Sequence, residues 1–382
     1  MIKTSTLTSI ILLSLCFITS GCHNTNDKNK RREGIQFKLS LEQDITFLPA
    51  DSIFGEKWIV PLETTDENII SQIDKLEIYN DRFYILDNTQ DIIFIFDKSG
   101  RYITKIADFG RGPDEYLCIS DFHIDDRMIY VLAGRNRKIM CYDPNGKWIK
   151  SFPTTYGADN ITTDSSYLYI NYNFTNPEGY NVGVYSKKDY SLVKQYKSYP
   201  KQQEGVAYGH KAWTNYNNQV YASFHYEYNI YRLTPDTCTV FASLDCGADK
   251  MYPPDWNTFS PQQEEKYKKQ KGGIIDLPIV SPVQSLYFTS RYMIFTFIYT
   301  SLEYTVIQDR STQQVRYGVL KPTTYYWNIM CNKIYFSDEY MVLPENASNI
   351  ISYRSKVPSA KEEWALNLKE DDNPCLYFYT WK

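Results

Sequence analysis

The chain lacks the short motifs that mark common enzyme classes. It has no G-x-S-x-G elbow, no H-E-x-x-H pair and no G-x-x-x-x-G-K loop. Serine-hydrolase, zinc-protease and P-loop nucleotide chemistry therefore have no motif support. Histidine is scarce, with only His23, His123, His210 and His225. They are scattered, and a metal site needs at least three converging ligands, so no metal and no cofactor is expected. The eight cysteines form no C-x-x-C and no zinc spacing. A dominant charge is missing too. The 41 Lys and Arg face 45 Asp and Glu, a net charge of −4, which implies neither a nucleic acid nor a strongly acidic partner. The apolar run from Leu7 to Ile18 is about 12 residues long, where a helix crossing a bilayer needs about 20.

That run has the form of a secretory signal, with Lys3 before it and Thr19-Ser20-Gly21 after it. The small residues leading into Cys22 resemble a bacterial lipobox, with Thr19 where Leu is commoner. The resemblance implies cleavage after residue 21 and lipid on the Cys22 thiol. Each buried CH₂ of an acyl chain adds roughly 0.8 kcal/mol of membrane attachment. Residues 1–21 are thus assigned to the signal peptide and 22–50 to the lipidated Cys and a flexible tether. His23 to Gly34 is rich in Asn and Lys and has no apolar periodicity. Surface-export signals of Bacteroidetes lipoproteins place acidic residues just after the Cys. Only Asp27 stands there, so an outer-membrane anchor facing the periplasm is expected ahead of the cell surface. Such a compartment permits disulfides. Cys238 and Cys246 are candidates to bridge neighbouring strands, and Cys118, Cys141, Cys331 and Cys375 are expected as buried thiols.

What the chain has in abundance is tyrosine, 35 residues, and a repeat. Tyr84 in Phe83-Tyr84-Ile85-Leu86 returns 46 residues later as Tyr130 in Ile129-Tyr130-Val131-Leu132. Phe96-Asp97 returns as Tyr142-Asp143, Gly100 as Gly146 and Ile103 as Ile149. Each unit reads as four short strands separated by turn residues, one antiparallel sheet. The inner strands are apolar on both faces, so sheets must stack against both sides of each one. This is the pattern of a β-propeller blade; a sandwich alternates more cleanly because one face of each sheet meets water. Later units are blurred: 168–185, 219–233, 292–308, and a last one joining 334–336 to 375–379. The fold expected for 51–382 is all-β, a six-bladed β-propeller of four-stranded antiparallel blades. Seven blades fit the bare repeat, but the later units carry insertions. The terminal strand is expected to close the ring with sequence from the other end. Most tyrosines are expected to pack between sheets.

The largest insertion, 249–282, holds the one helix expected. Ser260 is its N-cap, Pro261 its first residue, Gln263 completes a capping box, and Gly272-Gly273 stops it. The insertion reads either as a lid over one mouth or as a packing excursion. The most distinctive polar segment joins the two clear units. Gly110, Gly112 and Pro113 set a tight backbone path, and Arg111, Asp114, Glu115 and Tyr116 form the candidate binding loop at a mouth of the ring. The alternative is a plain inter-blade connection with Tyr116 packed in the next blade.

These features together are similar to the six-bladed β-propeller lipoproteins of Bacteroides and relatives, distant cousins of NHL-repeat propellers. The resemblance rests on Tyr84-Ile85-Leu86-Asp87, on Phe96-Asp97-x-x-Gly100, and on Gly110-x-Gly112-Pro113-x-Glu115-Tyr116 with Asp114 where the family often has Gly. It rests also on the lipobox and on Asn373-Pro374-x-Leu376. It implies the fold and an envelope address and carries no catalytic residues. The expected function is an anchored binding or scaffold module for a glycan, peptide or envelope protein. The alternative is a propeller enzyme, a metal-assisted hydrolase or lyase with its site in the central channel.

Overall fold

A computed structural model describes residues 34–41, 44–204, 212–225, 227–272, 278–321, 334–352 and 363–382. The signal segment, Cys22, His210 and Cys331 lie outside the described residues. Six sheets are arranged as propeller blades; in blades 1 to 5 the four core strands run in sequence order from the inside outwards, and blade 6 takes its outermost strand from near the start of the domain. Blade 1 is β4 (Lys75–Tyr79), β5 (Arg82–Asp87), β6 (Ile92–Asp97) and β7 (Tyr102–Ile106); blade 2 is β8 (Asp121–Ile124), β9 (Ile129–Ala133), β10 (Lys138–Tyr142) and β11 (Trp148–Pro153). Blade 3 is β12 (Asn160–Thr163), β13 (Tyr167–Asn171), β14 (Tyr180–Ser186) and β15 (Leu192–Ser198); blade 4 is β16 (Trp213–Tyr216), β17 (Gln219–Ser223), β18 (Asn229–Leu233) and β19 (Cys238–Asp245). Blade 5 is β20 (Ser285–Phe288), β21 (Tyr292–Tyr299), β22 (Leu302–Asp309) and β23 (Val315–Lys321). Blade 6 draws on both ends of the domain: β24 (Tyr335–Phe336), β25 (Tyr340–Glu345) and the terminal β26 (Cys375–Trp381) receive β3 (Phe54–Pro61) as their outer strand, antiparallel throughout. The ring is thus closed by the two ends of the chain, as expected.

Packing explains the doubly apolar strands. Between blades 1 and 2, Tyr84, Leu86 and Ile95 from one sheet meet Phe122, Val131 and Met140 from the next, all buried. The Phe/Tyr-Asp-x-x-Gly motif is a hairpin device. The Asp97 carboxylate accepts the N–H groups of Ser99 (2.8 Å) and Arg101 (3.1 Å), and Asp143 does the same for Asn145 and Lys147, both at 2.9 Å. Gly100, at φ +84°, also sits so close to β3 that a Cβ there would lie 2.1 Å from the Pro61 carbonyl oxygen. The closing motif has an equally plain role. Asn373 is buried, accepts Ile70 N–H (2.8 Å) and donates to the carbonyls of Glu63 (2.8 Å) and Asn68 (2.9 Å), locking the terminal strand to the chain before blade 1.

Tyrosine earns its frequency by tying blades together. Tyr84 donates to Pro144 O in blade 2 (2.9 Å), and Tyr196 of blade 3 donates to Thr234 O in blade 4 (2.9 Å). Each ring fills the apolar seam while its hydroxyl finds a carbonyl at the seam's rim.

Three differences from the sequence expectation emerge. Residues 35–49, assigned to the tether, form two strands, β1 (Ile35–Lys38) and β2 (Phe47–Pro49), which add in parallel to the outer edges of blades 4 and 5. Phe37 is 1% exposed and packs edge-on to Phe295 at 4.9 Å, so the folded domain begins ahead of residue 51. Cys238 and Cys246 are free thiols. Cys238 opens the extended β19 (Cys238–Asp245) and Cys246 follows its last residue, about 26 Å away at about 3.3 Å per residue, far beyond the roughly 7 Å limit between disulfide Cα atoms. The expected helix, α1 (Pro261–Gln270), is present with its Ser260–Gln263 capping box. Two short ones, α2 (Ala347–Ser352) and α3 (Glu363–Leu366), were not anticipated. Both are under two turns, too short for a 3.6-residue periodicity to register.

Candidate functional site

An innermost strand pairs on one side only, so its other edge leaves backbone groups facing the channel. Buried backbone polar groups need partners, and side chains of neighbouring inner strands supply them. Glu77 on β4 accepts Ile124 N–H of β8 at 3.0 Å, and Asp121 on β8 accepts Ile161 N–H of β12 at 3.0 Å. Lys75 donates to Phe122 O, Asn215 to Thr163 O, and Tyr335 to Ile78 O at 3.4 Å. These contacts stitch inner strands of successive blades around the axis.

Within this ring of contacts lies an ionic cluster. The Lys75 ammonium sits 2.9 Å from Asp121 and 3.0 Å from Glu77, and Glu77 also meets His123 Nδ1 at 3.2 Å. Lys75 and Asp121 occupy equivalent places in blades 1 and 2, 46 residues apart, and so do Glu77 and His123. Burial alone would favour neutral Lys75, but the Asp121 and Glu77 carboxylates outweigh it and raise its pKa. Burial would likewise raise Glu77, yet Lys75 and His123 hold its pKa at about 2. At neutral pH both stay charged, so neither is poised to exchange a proton. The surrounding cavity, of about 280 Å³, is walled by the six inner strands, with Trp213, Tyr287 and Phe288 among its aromatic lining. Among the described residues no group of three His, Cys, Asp or Glu side chains could hold a metal ion.

A second and larger recess lies on one face of the ring. It encloses about 920 Å³ between the second-to-third-strand turns of blades 1 to 3 and the connections that enter blades 2 and 3. Its wall includes Asp91, Ser120, Arg135, Arg137, Tyr156 and Asp159. The aspartates are engaged in holding the loops: Asp91 accepts Ile119 N–H at 2.8 Å, and Asp159 accepts the Asn173 amide. Tyr156 donates to Glu178 at 2.9 Å, a bond that raises the phenol's pKa. Arg135 and Arg137 are exposed, and neither forms an ion pair among the described residues. Gly134 beside them is constrained, since a Cβ there would lie 2.1 Å from Ala158 O. The groove therefore carries a close backbone approach at Gly134 and two guanidinium groups without an ion-pair partner among the described residues.

A family description of a domain of unknown function, DUF4934, matches residues 35–380. The chain belongs to the DUF4934 family. No curated protein matches it. The DUF4934 propeller is similar to the crystal structure of a "putative exported protein" from Bacteroides fragilis, with a TM-score of 0.71 and 18% identity over 91% of this chain and 99% of that one. It is also similar to the crystal structure of a DUF4221 family member from Bacteroides vulgatus, with a TM-score of 0.50 and 10% identity over 86% and 97% of the two chains. At these identities the likeness concerns the fold.

The DUF4934 structure sorts the residues singled out from sequence. In the glycine-proline loop Tyr116 is fully buried and donates to the carbonyls of Asp91 (2.7 Å) and Ile106 (3.2 Å). Glu115 turns back onto Gly112 N–H at 2.8 Å, and a Cβ on Gly110 would collide with that carboxylate. Lys138 and Ser151 of blade 2 clasp the carbonyls of Gly112 (2.9 Å) and Pro113 (2.7 Å). Arg111 and Asp114 are exposed. None of Arg111, Asp114, Glu115 and Tyr116 lines the groove, which uses the continuation of the same connection, Cys118 to Ser120. The insertion packs down rather than standing free. Trp256 is 3% exposed, stacked on Tyr252 at 3.8 Å, and Tyr228 fixes the segment by donating to Val280 O at 2.7 Å. His123 lies in the channel, while His225 lies beside Trp256, so the described histidines do not converge.

Proposed function

We propose that the protein is an exported, lipid-anchored binding module that holds a glycan, peptide or protein partner in the groove over blades 1 to 3. The groove carries this reading: a recess of about 920 Å³ lined by two guanidinium groups that form no ion pair among the described residues. That volume falls within the range of small-ligand sites, roughly 300–1,000 Å³, and arginine is suited to fork-like bonding of carboxylate or sulfate groups. Export is supported by the leader over residues 1–21 that precedes Cys22 and by the likeness to the Bacteroides fragilis protein. The lipobox resemblance favours an outer-membrane anchor. A catalytic channel gains no comparable support, because Lys75 and Glu77 are locked in their charged forms and their bonds complete the inner wall. The test is an array of glycans and peptides probed with the full chain and with the Arg135→Ala/Arg137→Ala double variant. Binding that vanishes in the variant is the expected result; binding indifferent to both arginines would overturn the assignment.

A further inference from the structure

We infer that the 249–282 insertion buttresses the groove, and that Trp256 and Phe174 are positioning residues for the ligand held there. The insertion joins β19 to β20. It therefore runs over the face that carries the second-to-third-strand turns and, with them, the groove. It does not stay at the seam between blades 4 and 5. Trp256 stacks over Tyr228 of blade 4 at 6.1 Å. It is 3% exposed and shares a buried cluster with Phe174, 4% exposed, which belongs to the β13–β14 turn of blade 3. Tyr199, Tyr252 and Phe259 pack around the pair, and Phe174 meets Tyr199 edge-on at 5.1 Å. The insertion thus reaches back across blade 4 to blade 3.

The same turn is groove wall, where Thr175 and Pro177 line the recess. Thr175 Oγ1 donates to Gly157 O at 3.1 Å, and Glu178 accepts the Tyr156 hydroxyl at 2.9 Å. Both partners line the groove as well, so the turn also holds the connection into blade 3. Its backbone needs outside support. Asn173 and Phe174 stand at φ +46° and +62°, the left-handed region that L-residues disfavour, and such backbone persists where the surroundings impose it. Asn181 imposes it by accepting Phe174 N–H at 2.8 Å, and Tyr199 by donating to Asn176 O. The Phe174 ring is the third constraint, and Trp256 completes its socket. A close-packed interior transmits strain, so emptying the Trp256 site frees Phe174 and, through it, Thr175, Pro177 and Glu178. The effect on a ligand rests on the function proposed for the groove; the coupling between insertion and turn does not.

The experiment measures hydrogen–deuterium exchange on the full chain in detergent, for the parent and for Trp256→Ala, Trp256→Phe, Phe174→Ala and the Trp256→Ala/Phe174→Ala double variant. Trp256→Leu stands in if Trp256→Ala does not fold, and Lys75→Met in the channel controls for general destabilisation. Trp256→Ala and Phe174→Ala should each speed exchange at 173–179 about tenfold, equivalent to about 1.4 kcal/mol. The double variant should go no further than either alone, because the two rings act as one unit. Trp256→Phe should restore the parent rate, and Lys75→Met should leave 173–179 unchanged. For the strongest array ligand, Trp256→Ala should weaken binding about tenfold and Trp256→Phe should return it. Parent-like exchange at 173–179 in Trp256→Ala, additive effects in the double variant, or a ligand that depends on Arg135 and Arg137 yet ignores Trp256 would each overturn the inference. An array that yields no ligand would overturn the proposed function instead, and exchange alone then decides whether the insertion buttresses the groove.

Discussion

Replacing Lys75 with Met removes the ammonium between Glu77 and Asp121 while keeping most of the side chain's bulk. The two carboxylates then share the channel without a counter-charge. Breaking such a pair within a protein costs about 3–5 kcal/mol. The side chains of Lys75, Glu77 and Asp121 are only 25%, 16% and 6% exposed, so solvent screens little of this. The pH dependence adds a signature. Glu77 is held at about 2 instead of the ordinary 4.5, which at 1.36 kcal/mol per pH unit is worth about 3 kcal/mol. Because the folded-state value is the lower one, this stability is complete above pH 4.5 and is lost as pH falls towards 2. Lys75 is shifted upwards from 10.5, so its contribution is constant across the acid range. Urea titrations followed by tryptophan fluorescence between pH 7 and pH 3 would measure both effects. Lys75→Met should lose about 3–5 kcal/mol at pH 7 and less than the parent on acidification. Other depressed carboxylates, such as Asp97, cancel in the difference. A cost below about 1 kcal/mol, the level of an exposed pair, with an unchanged acid slope would refute the reasoning.

Tyr116→Phe deletes a hydroxyl that donates to two carbonyls and should cost about 1–2 kcal/mol in the same titration. It should also leave array binding unaltered, as befits a loop that packs. Phe37→Ala should lower stability by about 3–5 kcal/mol, because β1 belongs to the domain; a melting temperature equal to the parent's would return that segment to the tether. Cys22→Ser should abolish incorporation of a clickable fatty acid in cells, and persistent labelling would exclude Cys22 as the lipidated residue.

The ring was legible because its blades repeat, and the offset that aligns Tyr84 with Tyr130 also aligns Lys75 with Asp121 and Glu77 with His123. The signal for the channel cluster was therefore present. Alternation in Lys75-Leu76-Glu77-Ile78, however, looks the same whether the polar side faces bulk water or a channel. β1 and β2 escaped because parallel addition to β19 and β23 depends on partners some 200 to 280 residues away, which no local pattern encodes. The glycine-proline loop drew attention because its residue types are rare and its path is tight. That tightness serves the burial of Tyr116 and the clasp from Lys138 and Ser151. The groove beside it was invisible: Arg135 and Arg137 sit in a turn whose equivalents in blade 1 are Thr89 and Asp91, so the repeat does not mark them.

The central claim, that the groove over blades 1 to 3 holds the ligand, is tested most directly by hydrogen–deuterium exchange with the strongest array ligand bound. Protection confined to the segments 88–91, 118–120, 134–137 and 156–159 is the predicted result. Protection along the outer strands β7, β11 and β15, with those turns unchanged, would contradict it.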